Sequence, residues 1–231
     1  MSLKEQLIGA IKEEDNEKLS DVLEQMCVEE VNEKDEYGET ALYKACRRKN
    51  NQAVSLLLAK LGINVNVKNS YYGRTPFHVA CENNNDWVID QLLRCPGIHE
   101  NAKNNNGSTL IMMAALGCSK EALGVMFKSP RVDLDVKDNG GRGLEEYVGI
   151  LGGGEEGKTK CLDMIREERI RRKTLLGEES LKIGIEKIER IDKKIEDCEQ
   201  RWKENVDSRK LKRREMYQKH SSSFTEIMLL I

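Results

Sequence analysis

The sequence predicts an all-α chain of stacked units, each a turn and two short helices, followed by a long charged helix. Three observations predict it. First, a nine-residue pattern recurs at Gly38-Glu39-Thr40-Ala41-Leu42-Tyr43-Lys44-Ala45-Cys46, Gly73-Arg74-Thr75-Pro76-Phe77-His78-Val79-Ala80-Cys81 and Gly107-Ser108-Thr109-Leu110-Ile111-Met112-Met113-Ala114-Ala115, with glycines 35 and 34 residues apart. Self-similarity at such a period is the signature of repeat architectures. Second, an apolar cluster follows each pattern at constant distance: Val54, Leu57 and Leu58; Ile89, Leu92 and Leu93; Leu123, Met126 and Phe127. Third, the composition changes after Leu151. Residues 1–154 carry 18 Lys/Arg and 23 Asp/Glu, whereas residues 155–231 carry 20 and 17.

Each element has a local reason. Thr75 is suited to cap a helix whose N–H groups lack partners, and Pro76 fits the first helical position, where its missing N–H costs nothing. Gly73 permits a tight turn at positive φ. The small pairs Ala45-Cys46, Ala80-Cys81 and Ala114-Ala115 stand where a helix must approach its neighbour closely. No such unit buries its apolar face alone, so neighbours must stack. Leu7, Ala10, Leu19, Val22 and Leu23 repeat the spacing with a polar surface of Glu13, Glu14, Asp15 and Glu17, so residues 1–34 read as an N-terminal cap and 35–137 as three central repeats. Residues 138–167 form a degenerate last unit, in which Asp138 to Leu144 keep the turn, Tyr147 and Val148 replace the small pair, and a Gly-rich insertion precedes the second helix.

Thr75-Pro76-Phe77-His78-Val79-Ala80 closely matches T-P-L-H-x-A, and on this motif the chain resembles the ankyrin-repeat family. The resemblance implies a solenoid of helix-turn-helix units with β-turn or hairpin loops, and binding in place of catalysis. It also implies that His78 fixes neighbouring turns and that a protein partner meets the hairpin tips and the exposed side of the first helices. Carried over residue by residue, the tips are Glu36, Tyr37 and Glu39; Tyr71, Tyr72 and Arg74; Asn105, Asn106 and Ser108. The helices add Arg47, Arg48, Glu82 and Asn83. Tyrosine and arginine dominate interface hot spots, which favours Tyr37, Tyr71, Tyr72, Arg74, Arg47 and Arg48. The competing reading is that Tyr37 and Tyr71 merely cover hairpins. The expected function is a non-enzymatic adaptor, without cofactor or metal; the alternative is a nuclear regulator using a basic helix for import or nucleic-acid contact.

Charged residues make up 34% of the 231, above the usual quarter or so, with a net charge of −2. No secretory apolar region follows the acidic start and no run approaches the roughly 20 apolar residues of a membrane span, which predicts a cytoplasmic or nuclear protein. The seven cysteines include no Cys-x-x-Cys pair and read as reduced structural thiols.

Within the tail, Leu181, Ile188, Ile195 and Trp202 recur every seven residues, with Ile191 and Cys198 three after Ile188 and Ile195. These are a and d positions of a short heptad seam. In a parallel homodimer Lys187 would face Asp192 and Lys194 would face Glu199. The same residues also suit a lone helix held by i,i+4 ion pairs, or one folded back on the repeats. Residues 168–220 are therefore a charged helix that could self-associate, and 221–231 an apolar tail.

Gly152-Gly153-Gly154-Glu155-Glu156-Gly157-Lys158-Thr159 satisfies G-x-x-x-x-G-K-[ST], the phosphate loop. That loop must follow a strand of a parallel sheet, and no strand is expected nearby; the better reading is a solvated loop containing Lys158. The basic clusters Arg169-Ile170-Arg171-Arg172-Lys173 and Arg209-Lys210-Leu211-Lys212-Arg213-Arg214 resemble import or nucleic-acid patches, yet Glu167, Glu168 and Glu215 dilute them. The terminal Leu229-Leu230-Ile231 has a form that PDZ-like domains accept, or packs back on the helix.

Overall fold

A hydroxyl or a short polar side chain opens nearly every helix of the chain. The computed structural model describes residues 2–152 and 154–180 continuously, with isolated positions between 182 and 208. The helices are α1 (Leu3–Glu13), α2 (Asn16–Gln25), a single turn α3 (Val28–Val31), α4 (Ala41–Arg48), α5 (Asn51–Ala59), α6 (Pro76–Glu82), α7 (Asp86–Leu93), α8 (Leu110–Leu116) and α9 (Lys120–Phe127). A 3-10 turn at Glu145–Tyr147 follows, and then α10, residues 154–180. Ser2, Thr40 and Thr75 cap first helices, each accepting from the N–H three residues on; Asp15, Asn50, Asn85 and Ser119 do the same for second helices. Between the two helices of each pair the chain passes through a left-handed residue, Glu14, Lys49, Asn84 or Cys118, with φ between 52° and 58°. That conformation lets the second helix start within one or two residues of the first.

Two units divide the chain, residues 1–170 and 171–231. In the first, the pairs α1/α2, α4/α5, α6/α7 and α8/α9 stack in register, first helices on first helices and second on second. One apolar core runs through the stack from Leu7 to Ile165. All six members of the small pairs, Ala45, Cys46, Ala80, Cys81, Ala114 and Ala115, are 0% exposed, so the close approach read from the sequence occurs there.

Side chains and turns repeat the period on the polar edge. At the hairpin tips, Ser70 N–H donates to Tyr37 O (2.9 Å), Asn105 N–H to Tyr72 O (2.8 Å) and Asn139 N–H to Asn106 O (3.0 Å). Gly38, Gly73 and Gly107 sit at φ +74°, +63° and +77°, and a Cβ on any of them would collide with the Ser70, Asn105 or Asn139 of the next tip. A lysine ladder runs beside it: the ammonium groups of Lys34, Lys68 and Lys103 donate to the carbonyls of Lys68, Lys103 and Lys137 at 3.2, 2.8 and 3.2 Å. Asn32, Asn66 and Asn101 form a third ladder, each amide donating to the next unit (Gly62, Gly97 and Arg131 O) and each oxygen accepting from Asn64, His99 or Asp133 N–H.

The last unit departs from expectation at Lys158. The first helix of the unit is degenerate, a 3-10 turn at Glu145–Tyr147 that packs on α8, and the Tyr147 hydroxyl donates to Asp138 (2.6 Å) while Ser108 Oγ lies 2.7 Å away. Lys158 is not in a solvated loop but on α10, half-buried, with its methylenes crowded against Gly149. Helix can begin at this Gly-rich run because Glu155 and Glu156 place negative charge in the first turn. Among the described residues there is no strand, only an isolated bridge between Lys103 and Thr109, so the glycine run follows a turn. Arg169 of the first basic cluster is engaged in the fold, pairing with Asp135 (3.1 Å) and Glu145 and donating to Leu134 O (2.7 Å).

In the second unit, residues 171–180 are helical and largely exposed. The seam residues Leu181, Ile188, Ile191, Ile195, Cys198 and Trp202, the 209–214 cluster and the 221–231 tail lie outside the described residues. Among the described residues no helix is long and apolar enough to cross a membrane.

Candidate functional site

Tyr43, on α4, is the floor of a groove between two hairpin tips and the first helices. It is 4% exposed, and its hydroxyl accepts from the Asn69 amide at 3.2 Å. Two ion pairs flank it. Glu39 of the first tip binds Arg47 on α4 (2.6 Å), and Arg74 of the second tip binds Glu82 on α6 (2.8 Å). Glu39 and Arg74 are one period apart, as are Arg47 and Glu82, so consecutive units carry the same tip-to-helix bridge with its charges exchanged. Burial of Tyr43, followed by the nearby Glu39 carboxylate, pushes its phenol up to about 12. It is therefore a neutral floor at any physiological pH.

Lys44 lies on the same wall, bound to Asp35 (2.5 Å) and Glu39 (3.3 Å). Burial of Asp35 opposes its charged form; the Lys44 ammonium and the N–H groups of Glu39 and Tyr37 outweigh it, so the carboxyl titrates below its ordinary value. An aromatic shelf forms the opposite rim. The Tyr37 and Tyr71 rings stack with centroids 6.1 Å apart, Tyr72 follows at 6.5 Å, and the Arg74 guanidinium lies 4.9 Å over the Tyr72 ring. Stacked rings with a cation on one face give a rigid, amphipathic contact surface.

Of the residues assigned to partner binding from sequence, Tyr37, Glu39, Arg47, Tyr71, Tyr72 and Arg74 line this one groove. Glu39 is 6% exposed, with its carboxylate beneath Arg47 and Lys44, so it sets the orientation of those cations and offers little surface of its own. Arg48 is exposed at the end of α4. Asn83 is turned to the scaffold, its amide donating to Cys46 O and Arg47 O at 3.3 Å. Asn105 holds the Tyr71 and Tyr72 carbonyls through its amide and its backbone N–H, and Asn106 accepts from Asn139 N–H. These asparagines brace the tips.

Sequence reasoning missed Lys12, Tyr43, Lys44 and Asn69 in the groove wall. A signal existed for Lys12: it stands one period before Arg47, at the end of α1. Asn69 shared its signal with Asp35, Asn104 and Asp138, since all four bind their own turn, each side-chain oxygen accepting two backbone N–H groups.

Residues 7–104 match the family model described as ankyrin repeats (3 copies). No curated protein matches the chain. The matched segment holds the hairpin glycines Gly38 and Gly73, the Thr75-Pro76 helix start, His78 and the whole of the groove wall. With its repeat register, its tip ladders and this match, residues 7–104 are ankyrin repeats, and a C-terminal helix, residues 154–180, follows them in the chain.

Proposed function

We propose that the chain is a non-enzymatic adaptor that docks a partner protein across the Tyr43 groove, between the first two hairpin tips and the first helices. Ankyrin repeats are in general protein–protein interaction modules. The observation that carries the site is the convergence of Tyr37, Tyr71, Tyr72, Arg47 and Arg74 on one groove with a buried floor. Interface energy concentrates in such tyrosine and arginine anchors. An affinity pulldown read by mass spectrometry, comparing the wild type with Tyr72→Ala/Arg74→Ala, tests it. The variant is expected to lose a defined set of proteins while its thermal unfolding stays cooperative; recovery of the same set by both would move the docking face elsewhere.

Self-association or a second contact through Leu181, Ile188, Ile191, Ile195, Cys198 and Trp202, and cytoplasmic residence with 209–214 as the candidate import signal, complete the proposal on sequence pattern alone. Fluorescent fusions with and without 209–214 test the second of these.

A further inference from the structure

We infer that the segment received by the Tyr43 groove is a short acidic stretch of the partner protein, its carboxylates taken by Lys12, Arg47 and Arg74 and its apolar side chains by the tyrosine shelf. This rests on the reading of the groove as the docking face. Charge placement carries the inference. Four cations and one carboxylate line the groove, and that carboxylate, Glu39, is nearly buried beneath two of the cations. The other acids paired with the groove's cations, Asp35 and Glu82, lie outside its lining at 22% and 28% side-chain exposure, against 52% for Arg47, 24% for Arg74 and 13% for Lys44. Lys12 is exposed and makes no ion pair among the described residues. A ligand therefore meets the Arg47 and Arg74 guanidinium groups, each held by one carboxylate, beside the exposed Lys12 ammonium, while Lys44 stays bound to Asp35 and Glu39. A planar guanidinium fixed by one carboxylate remains able to grip a second.

The wider field limits the length of the ligand. Residues 1–154 carry a balance of −5, so the repeats as a whole repel a polyanion, and the cationic groove is a local exception. A nucleic-acid site instead needs a continuous basic face. A short acidic peptide satisfies both conditions. The charge-exchanged bridges also explain why the cations stand on both sides of the groove: Arg47 comes from the helix wall and Arg74 from the tip.

The test uses the full chain to select from a random dodecapeptide display library, followed by fluorescence anisotropy of the selected peptides. Asp and Glu are expected to be enriched by about twofold or more, with affinity falling as salt rises and weakening roughly fivefold for Lys12→Glu, as expected when one charge of a complementary set is reversed. Lys12 is exposed and makes no ion pair among the described residues, so its reversal leaves the stack intact, which thermal unfolding checks. Peptides that need Tyr72 but carry no acidic excess would overturn the acidic ligand and leave the docking face standing. Peptides bound equally by Tyr72→Ala/Arg74→Ala, or no selected peptide at all, would overturn both. A single-stranded dodecanucleotide that displaces the peptides at equal concentration would replace the peptide with a nucleic-acid ligand.

Discussion

His78 joins two neighbouring units through a single neutral ring. Its Nδ1 accepts from Thr75 N–H (3.1 Å), which leaves the proton on Nε2, 3.4 Å from the Ser108 carbonyl. Burial is the main reason its pKa falls to about 4 from the ordinary 6.5. A protonated Nδ1 would also set donor against donor at Thr75. The unfolded chain takes up this proton more readily than the folded one, so stability is full above about pH 6.5 and is lost as pH falls from there toward 4. Met112 occupies the equivalent position in the next unit, where its Sδ accepts from Thr109 N–H at 3.4 Å, so His78→Met is a replacement the architecture already uses. Between about pH 7 and about pH 5 the wild type should lose about 2 kcal/mol more stability than His78→Met. Urea unfolding at the two pH values measures this; equal losses would mean that His78 does not titrate in the folded state as its burial demands. Asp138 does not confuse the comparison: held low by the Tyr147 hydrogen bond, it titrates at about 2, well below the window.

At the scale of the element, the hairpin tip combines two demands on glycine that the last tip separates. Gly73 has φ +63° and no room for a Cβ beside Asn105, whereas Gly141 has φ +78° with nothing within 4 Å. The difference arises because no further tip stacks on Gly141 among the described residues. Gly141→Ala should cost only the left-handed backbone, about 1–2 kcal/mol. Gly73→Ala should cost about 1–3 kcal/mol more, since the added Cβ must also displace the Asn105 side chain that donates to Tyr71 O and crowd the Asn105 backbone N–H. Chemical denaturation of the two variants is the measurement, and equal destabilisation would show that the tip ladder contributes nothing to the stack.

For the whole molecule, the repeat array and the tail obey different rules. Repeat stability comes from nearest-neighbour interfaces and does not require a second chain, whereas the Leu181 to Trp202 heptads bury their seam only against a partner helix or another surface. If the seam is a parallel dimer, Ile188→Asp/Ile195→Asp should convert the full chain to monomers without lowering the unfolding temperature of the repeats. Lys187→Glu/Lys194→Glu should weaken the dimer, and adding Asp192→Lys/Glu199→Lys should restore it. Sedimentation velocity over a range of concentration reads all three; a wild type that stays monomeric throughout would leave a lone helix or an intramolecular contact.

The sequence by itself determined the repeat register, because its determinants are local. Positive φ at Gly38 and Gly73, a hydroxyl at Thr40 and Thr75, Pro76 at the first helical position and small pairs such as Ala80-Cys81 are each required by geometry within a few residues, and each is visible without a fold. The tyrosines and arginines of the groove were legible for the same reason: once the register is known, the tips follow. Only the tertiary structure decided what those groups do to one another. By sequence position Glu39 is a tip residue, yet its carboxylate lies beneath Arg47 and Lys44, and Lys12 joins the wall only because α1 stacks against α4. The end of the array was likewise a tertiary matter. Tyr147 bonds Asp138 and Ser108, and Arg169 bonds Asp135 and Glu145, through contacts spanning up to 39 residues. Periodicity specifies which residues are equivalent; the pairing of charges across units depends on distances that exist only after the units stack.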